Sequence, residues 1–262
     1  MLTGRRFDTV EIALISLAAF AIGVVYARSA EPLEQRRAVV IGRPGAAELA
    51  PLAKRYGSSR ESRYAEEWII RDFFQDRRGG TFLDVGANDY RRENNTYFLE
   101  TSLGWHGVAI DAQPEFAEGY RAHRPLTRFF SFFVSDTSGA TVDLHVPTDN
   151  SFAASSDRNN AESETNHLQG SILDKKVTTI TLNDLLARQN LDHVDFVSMD
   201  VELAEPKALG GFDIERFKPA FFCVEAHEAV RQAILDYFAQ HHYVVVGKYL
   251  RMDSANLYFA PL

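Results

Sequence analysis

The passage that most restricts what this chain can fold into is Phe82-Leu83-Asp84-Val85-Gly86-Ala87-Asn88-Asp89. An apolar run ends in an acid and then meets a glycine, which reads as a buried strand entering a tight turn. A second run of the same kind, Gly107-Val108-Ala109-Ile110-Asp111, also closes on a carboxylate. In doubly wound sheets, ligands sit beyond the carboxyl ends of the strands, where the strand order reverses. Gly86 is expected to let the backbone approach such a ligand without a side-chain clash. Asp111 stands where an acid binds both hydroxyls of a ribose. A dinucleotide site requires G-x-G-x-x-G at the first turn, but Asn88 and Arg91 occupy the two later glycine positions. A pyrophosphate then has less room, which disfavours a nicotinamide oxidoreductase. A ligand with a ribose and a sulfonium but no phosphate fits better, with Asp84 balancing its positive charge or reaching its methionyl amine.

From Thr81 onward, short apolar runs alternate with helical patterns. Strands are predicted at 81–85, 107–111, 128–134, 194–199, 221–225 and 243–247, and helices at 96–103, 114–123, 182–189 and 229–241. This rhythm predicts a Rossmann-like α/β fold, a mostly parallel sheet covered on both faces. The run 256–260 is expected as an antiparallel last strand, and 142–146 and 176–180 as strands around an insertion. Ser62-Arg63-Tyr64-Ala65-Glu66 has the pattern of a capping box, and Trp68, Ile69, Ile70, Phe73 and Phe74 follow it, so a helix precedes the first strand. Residues 28–60 show no sustained period and read as a tether or irregular collar. Residues 148–171 are polar and nearly without core residues, and a loop that long is a functional lid or simply disordered. The folded domain is therefore expected to span 61–262.

The chain's 262 residues suffice for one α/β domain with a short appendage, and its net charge of −8 argues against a nucleic-acid partner. Cys223 is the only cysteine, which excludes an intrachain disulfide. Its apolar surroundings in sequence suggest a small buried hydrophobe. The N-terminus differs in kind, because residues 12–26 carry no charge. A membrane span needs about 20 apolar residues, whereas the apolar part of a cleaved signal peptide runs to about 7–15. Residues 1–27 thus read as a hydrophobic helix, either a single-pass membrane anchor or a signal segment. Arg5 and Arg6 precede it, and Arg28, Arg36, Arg37 and Arg43 follow it, which leans the large domain toward the cytoplasmic side. Asn94-Asn95-Thr96 is a glycosylation sequon.

Taken together, the sequence resembles the FkbM-type methyltransferases. The resemblance is carried by 82–89, Asn95-Thr96-Tyr97-Phe98-Leu99-Glu100, 104–111, Thr181-Leu182-Asn183-Asp184-Leu185-Leu186, 195–202 and Val224-Glu225-Ala226-His227. It covers about residues 60–260 in the right order. It implies a class I methyltransferase sheet, S-adenosylmethionine as methyl donor, and O-methylation of a hydroxyl on a sugar or other small metabolite. Asp84, Gly86, Asn88 and Asp111 are then the expected cofactor-binding residues. Ser135 and Asp136, after the third strand, are expected at the adenine.

Asp200 and Glu202, ending the fourth strand, are candidates for a general base, or a pair that holds a divalent metal, although the spacing does not call for one. Glu225 and His227 end the fifth strand, and a neutral His227 would be a natural base near pH 7. Three positions depart from the family: Asp111 replaces the usual Glu, Leu203 follows Asp-Val-Glu where Gly is usual, and Tyr90 replaces a small residue. Leu203 and Tyr90 are expected to narrow the substrate pocket. The competing expectation is a non-catalytic, membrane-anchored interaction or trafficking module on the same fold.

Overall fold

The computed structural model describes residues 45–165 and 170–262. The hydrophobic segment expected at 1–27 and most of the collar lie outside the described residues. Among the described residues, no helix is long and apolar enough to cross a membrane.

In chain order the elements are α1 (Ala46–Tyr56), α2 (Glu66–Phe74), β1 (Thr81–Val85), α3 (Tyr97–Leu103), β2 (His106–Asp111), α4 (Ala117–His123), β3 (Thr127–Ser131), β4 (Phe133–Val134) and β5 (Thr141–Pro147). They continue as α5 (Arg158–Ser163), β6 (Ile172–Ile180), α6 (Leu182–Arg188), β7 (Phe196–Met199), α7 (Glu205–Gly210), α8 (Ile214–Phe217), β8 (Phe221–Glu225), α9 (Glu228–Gln240), β9 (Tyr243–Val245) and β10 (Asn256–Pro261). Seven strands form one sheet in the order β3-β2-β1-β7-β8-β10-β9. Its strands pair in parallel except β10, which runs antiparallel to both β8 and β9. The chain moves outward from β1 through β2 to β3, then returns to place β7 on the other side of β1. That reversal puts the switch point at the carboxyl ends of β1 and β7.

Central strands buried on both faces read as continuous apolar runs. Alternate residues feed two cores. Leu83 and Val85 join Val108, Ile110, Val197, Met199 and residues of α6 and α9 on one face. Phe82, Phe196 and Phe221 face the other way, onto Trp105 and the Trp68, Ile69 and Phe74 side of α2. Cys223 is buried in that second core, as its apolar context suggested.

Three expectations need correcting. The collar is not irregular throughout, because 46–56 forms α1, with Leu52 and Tyr56 buried against α2. The stripe Leu49, Leu52, Ala53, Tyr56 has helical spacing; Pro51, inside the helix, disguised it. The third strand is not continuous over 128–134. It leaves the main sheet after Ser131, and Phe133–Val134 pairs with Thr179–Ile180 in a separate β4-β6-β5 sheet. The polar stretch 148–171 contains a short turn of 3-10 helix at Ser151–Ala153 and the helix α5. Asp157 caps α5 by accepting the amides of Asn159 and Asn160, so part of the polarity is capping chemistry. Residues 166–169 of it lie outside the described residues.

Behind the strand ends lies a buried polar network centred on Arg124, only 1% exposed. Its Nε donates to Glu100 Oε2 at 2.6 Å, and its terminal nitrogens donate to Tyr90 O, Asn94 Oδ1, Thr96 Oγ1 and Thr127 Oγ1. Asn94 is itself buried, its amide donating to Ala87 O, Asp89 O and the Tyr120 hydroxyl, so the sequon does not present a surface asparagine. Removing one partner of a buried ion pair leaves an uncompensated charge, which costs about 3–5 kcal/mol. Arg124→Ala is expected to lose about that much in urea denaturation. The Arg124→Ala/Glu100→Ala double variant should lose less than the sum of the two singles.

Candidate active site

The site begins where β1 runs out. Gly86 has φ +78°, and a Cβ there would overlap the carbonyl oxygen of Asp200. Glycine is therefore demanded by the neighbouring strand tip, in addition to any ligand, which is a different reason from the one the sequence suggested. Asp200 N–H donates to Val85 O at 2.9 Å, while the amides of Gly86 and Ala87 both donate to Ile110 O. The tips of β1, β2 and β7 are thereby tied together.

Asn88 follows in a left-handed conformation, φ +47°, which asparagine tolerates better than most residues. Its N–H donates to Asp111 Oδ2 at 3.1 Å, and Gln113 N–H donates to Asp111 Oδ1 at 2.8 Å. Burial pushes the Asp111 carboxyl up to about 6, with the two amides acting the other way. Asn88 Oδ1 is buried without a hydrogen-bond partner. Asp84 is also buried; its Oδ2 accepts from Thr96 Oγ1 at 2.7 Å and from Asn94 Nδ2 at 3.4 Å. Burial raises its pKa, opposed by Thr96, Arg124 and Asn94.

Two adjoining cavities open over these tips, and Gly86, Asn88, Phe152, Asp200 and Glu202 line both. One, of about 450 Å³, has Asp111 and Gln113 on one side and Phe132, Phe133, Val134 and Leu144 on the other. The second, of about 640 Å³, is polar, lined among others by Arg63, Asp84, Asn95 and Glu225. Ser135 and Asp136 line neither cavity. The switch of sheets after Ser131 carries them past the crevice, where Ser135 N–H donates to Ile180 O. The apolar residues Phe132, Phe133 and Val134 just before them line the first cavity instead. Tyr90 lines neither cavity either. It stacks on His123 of α4 with ring centroids 4.5 Å apart, above Gly119, so it does not narrow the pocket.

The remaining candidates meet at the crevice floor. His227 Nε2 lies 2.9 Å from Glu225 Oε2 and 3.7 Å from Glu202 Oε2. The Glu202 and Glu225 carboxylates push the imidazole up to about 10, so His227 is an imidazolium at neutral pH rather than the expected neutral base. Asp200 opens into the crevice, yet the surrounding protein desolvates it, and the charges of Glu225 and Glu202 add to that, holding its pKa well above the carboxylate range. Glu202, Glu225 and His227 are spaced as three ligands of a metal ion would be. The imidazolium offsets one of the two negative charges, through contacts that leave His227 Nε2 and Glu225 Oε2 without a well-formed hydrogen bond.

Sequence reading missed the residues that hold this floor from the polar stretch. Asn160 Nδ2 donates to Glu202 Oε2 at 3.0 Å, and Ser155 Oγ donates to Glu202 O at 2.9 Å. Phe152, the lone aromatic in that tract, was the available signal. Glu202 and Leu203 both have positive φ, +53° and +75°. Leu203 stands where the family usually has Gly, and its conformation is one suited to glycine.

The FkbM methyltransferase domain matches residues 84–245, more than half of the chain. No curated protein matches it. Among solved structures, the chain is similar to a TehB-like S-adenosylmethionine-dependent methyltransferase from Corynebacterium glutamicum, with 13% identity, 83% of this chain and 96% of that chain covered, and a TM-score of 0.39. It is also similar to the 1,6-didemethyltoxoflavin-N1-methyltransferase of Burkholderia thailandensis, solved with 1,6-didemethyltoxoflavin and S-adenosylhomocysteine, with 13% identity, 99% and 92% coverage, and a TM-score of 0.35. Scores this low add nothing to the domain match.

Two substitutions test the backbone reading. Gly86→Ala drives a methyl into backbone that has no side chain to move aside, so a loss of about 4 kcal/mol or more is expected on chemical denaturation. Leu203→Gly relieves a left-handed conformation costing roughly 1–2 kcal/mol, offset by glycine's greater unfolded-state freedom, roughly 0.5–1 kcal/mol. Its denaturation midpoint should hold or rise.

Proposed function

The chain belongs to the FkbM methyltransferase domain family and is an S-adenosylmethionine-dependent methyltransferase; we propose that it methylates a hydroxyl of a sugar or another small metabolite. The observation that carries this is Asp200, a carboxyl group with a raised pKa that opens where the two cavities meet. An acceptor hydroxyl at that junction has beside it a carboxyl whose proton affinity is raised by desolvation and by the charges of Glu225 and Glu202.

The crevice has features that fit the cofactor. Asp111 can accept from ribose hydroxyls with the lone pairs its two amide donors leave free, and Asn88 Oδ1 is a buried acceptor lacking a donor. Phe132, Phe133 and Val134 offer an apolar wall for the adenine ring. Bound here, S-adenosylmethionine supplies an electrophilic methyl group on a sulfonium. Asp84, Asp200, Glu202 and Glu225 surround the second cavity with negative charge, which favours a cationic centre over an anionic one. Asp200 takes the proton of the acceptor hydroxyl on a carboxylate oxygen. His227, already protonated, keeps Glu202 and Glu225 in place rather than acting as base. Phe152 lines both cavities where they meet and offers an apolar surface beside the acceptor, with transfer expected at near-attack distances of about 3–3.5 Å. In the same proposal, residues 1–27 tether the domain to the cytoplasmic side of a membrane, supported by the uncharged run 12–26 and the arginines that follow it.

Only ionised Asp111 accepts from both ribose hydroxyls. With its pKa raised to about 6, S-adenosylhomocysteine affinity should weaken as the pH falls through that value. Calorimetry between pH 5 and 8 (a range set on the order of one to two units either side) should show that slope in the wild type. Asp111→Asn should bind more weakly and lose the slope. A wild-type affinity unchanged across the range would remove Asp111 from the ribose.

Asp200→Asn should leave S-adenosylhomocysteine affinity within about twofold while methyl transfer across a panel of hydroxylated metabolites falls by about 10²–10⁴-fold. The wild-type rate should drop on acidification, as the raised Asp200 carboxyl takes up its proton. Undiminished turnover in Asp200→Asn would sink the base assignment.

A further inference from the structure

The polar cavity is lined by many acids and few bases. Glu66, Asp84, Glu93, Asp200, Glu202 and Glu225 line it, and among its described lining residues Arg63 is the only lysine or arginine. The aminoacyl end of S-adenosylmethionine carries an ammonium and a carboxylate. The ammonium has acids on several sides, whereas the only cationic side chain among the described lining residues that can meet the carboxylate is Arg63.

Arg63 is placed for that role and lightly held. The turn that carries it is pinned: Tyr64 N–H donates to Glu66 Oε2 at 2.6 Å, and Ser62 Oγ and Arg60 Nε both donate to Tyr64 O. Its own ion pair is a single long contact, Nε to Glu93 Oε2 at 3.8 Å, between side chains 59% and 40% exposed. Exposed pairs of that kind contribute little, about 0–1 kcal/mol, so exchanging Glu93 for a ligand carboxylate loses little. A guanidinium also presents paired N–H donors that match both oxygens of a carboxylate. Neighbouring cations do not line the cavity. Arg91 pairs with Glu61 at 2.9 Å, Arg92 lies over the Phe152 ring at 4.2 Å, and His227 faces Glu225 and Glu202.

We infer that Arg63 receives the carboxylate of the cofactor's aminoacyl end, releasing Glu93, and so selects adenosyl ligands that carry an intact amino acid. The inference rests on the cofactor occupying this crevice, and its test separates the two claims. S-adenosylhomocysteine carries the aminoacyl end; 5′-methylthioadenosine keeps the nucleoside and sulfur but lacks it. Both would be titrated calorimetrically into the full chain as wild type, Arg63→Ala, Arg63→Lys and Glu93→Gln.

Arg63→Ala is expected to weaken S-adenosylhomocysteine at least about tenfold, the order of one charge-assisted hydrogen-bonded pair, and to change 5′-methylthioadenosine by less than about twofold. Arg63→Lys, which keeps the charge but loses the fork, should fall between. Glu93→Gln, which removes the competing carboxylate, should not weaken either ligand. Equal weakening of both ligands in Arg63→Ala would assign Arg63 a merely structural role and overturn the inference. So would no change in either. A wild type that binds neither ligand removes the cofactor reading, and this inference with it.

Discussion

No side chain fits between Gly86 and the carbonyl of Asp200, and that close approach sets where the tips of β1 and β7 stand. The amides of Gly86 and Ala87, both donating to Ile110 O, draw the tip of β2 into the same rim. Three strands that carry acids at or near their ends are thus brought to one crevice. Asp84, Asp111 and Asp200 are neighbours because the backbone leaves them no alternative. Beneath the rim, Arg124 and Glu100 link α3 to the loops after β1 and α4, so the turn carrying Asn88 rests on a fixed base.

The chemistry follows from crowding carboxylates around a single imidazole. Asp200 opens into the crevice, yet desolvation by the surrounding protein, with the charges of Glu225 and Glu202 added, raises its pKa. Glu202 and Glu225 remain the counter-charges that keep His227 protonated. The histidine is held as a cation by these two acids, and under the proposed function the proton of the acceptor goes to Asp200 instead. Glu202 and Leu203 adopt left-handed backbone at this point. Conformations of that kind cost of order 1–3 kcal/mol each and persist where surrounding structure enforces them. Here the enforcing contacts include the Ser155 and Asn160 side chains on Glu202.

What the sequence made legible was local. The acids at 84 and 111 could be placed because each ends an apolar run, and the turn could be placed because a glycine follows. The bounds of most strands and helices came within a few residues for the same reason. What stayed hidden depends on partners far along the chain. Nothing in 128–134 reveals that Phe133–Val134 will pair with Thr179–Ile180, and that single pairing moved Ser135 and Asp136 away from the crevice. The charge on His227 depends on Glu202, which lies in the turn after β7. Tyr90 was misplaced because its stacking partner belongs to α4. The stripe in α1 was present in the sequence, but Pro51 read as a break.

The most direct test is a crystal structure with S-adenosylhomocysteine bound. The ribose should lie on Asp111, the adenine against Phe132, Phe133 and Val134, and the sulfur in the space shared by Gly86 and Asp200. An adenine lodged in the acidic cavity beside Asp84, or a ribose out of reach of Asp111, would contradict the assignment of the two strand tips.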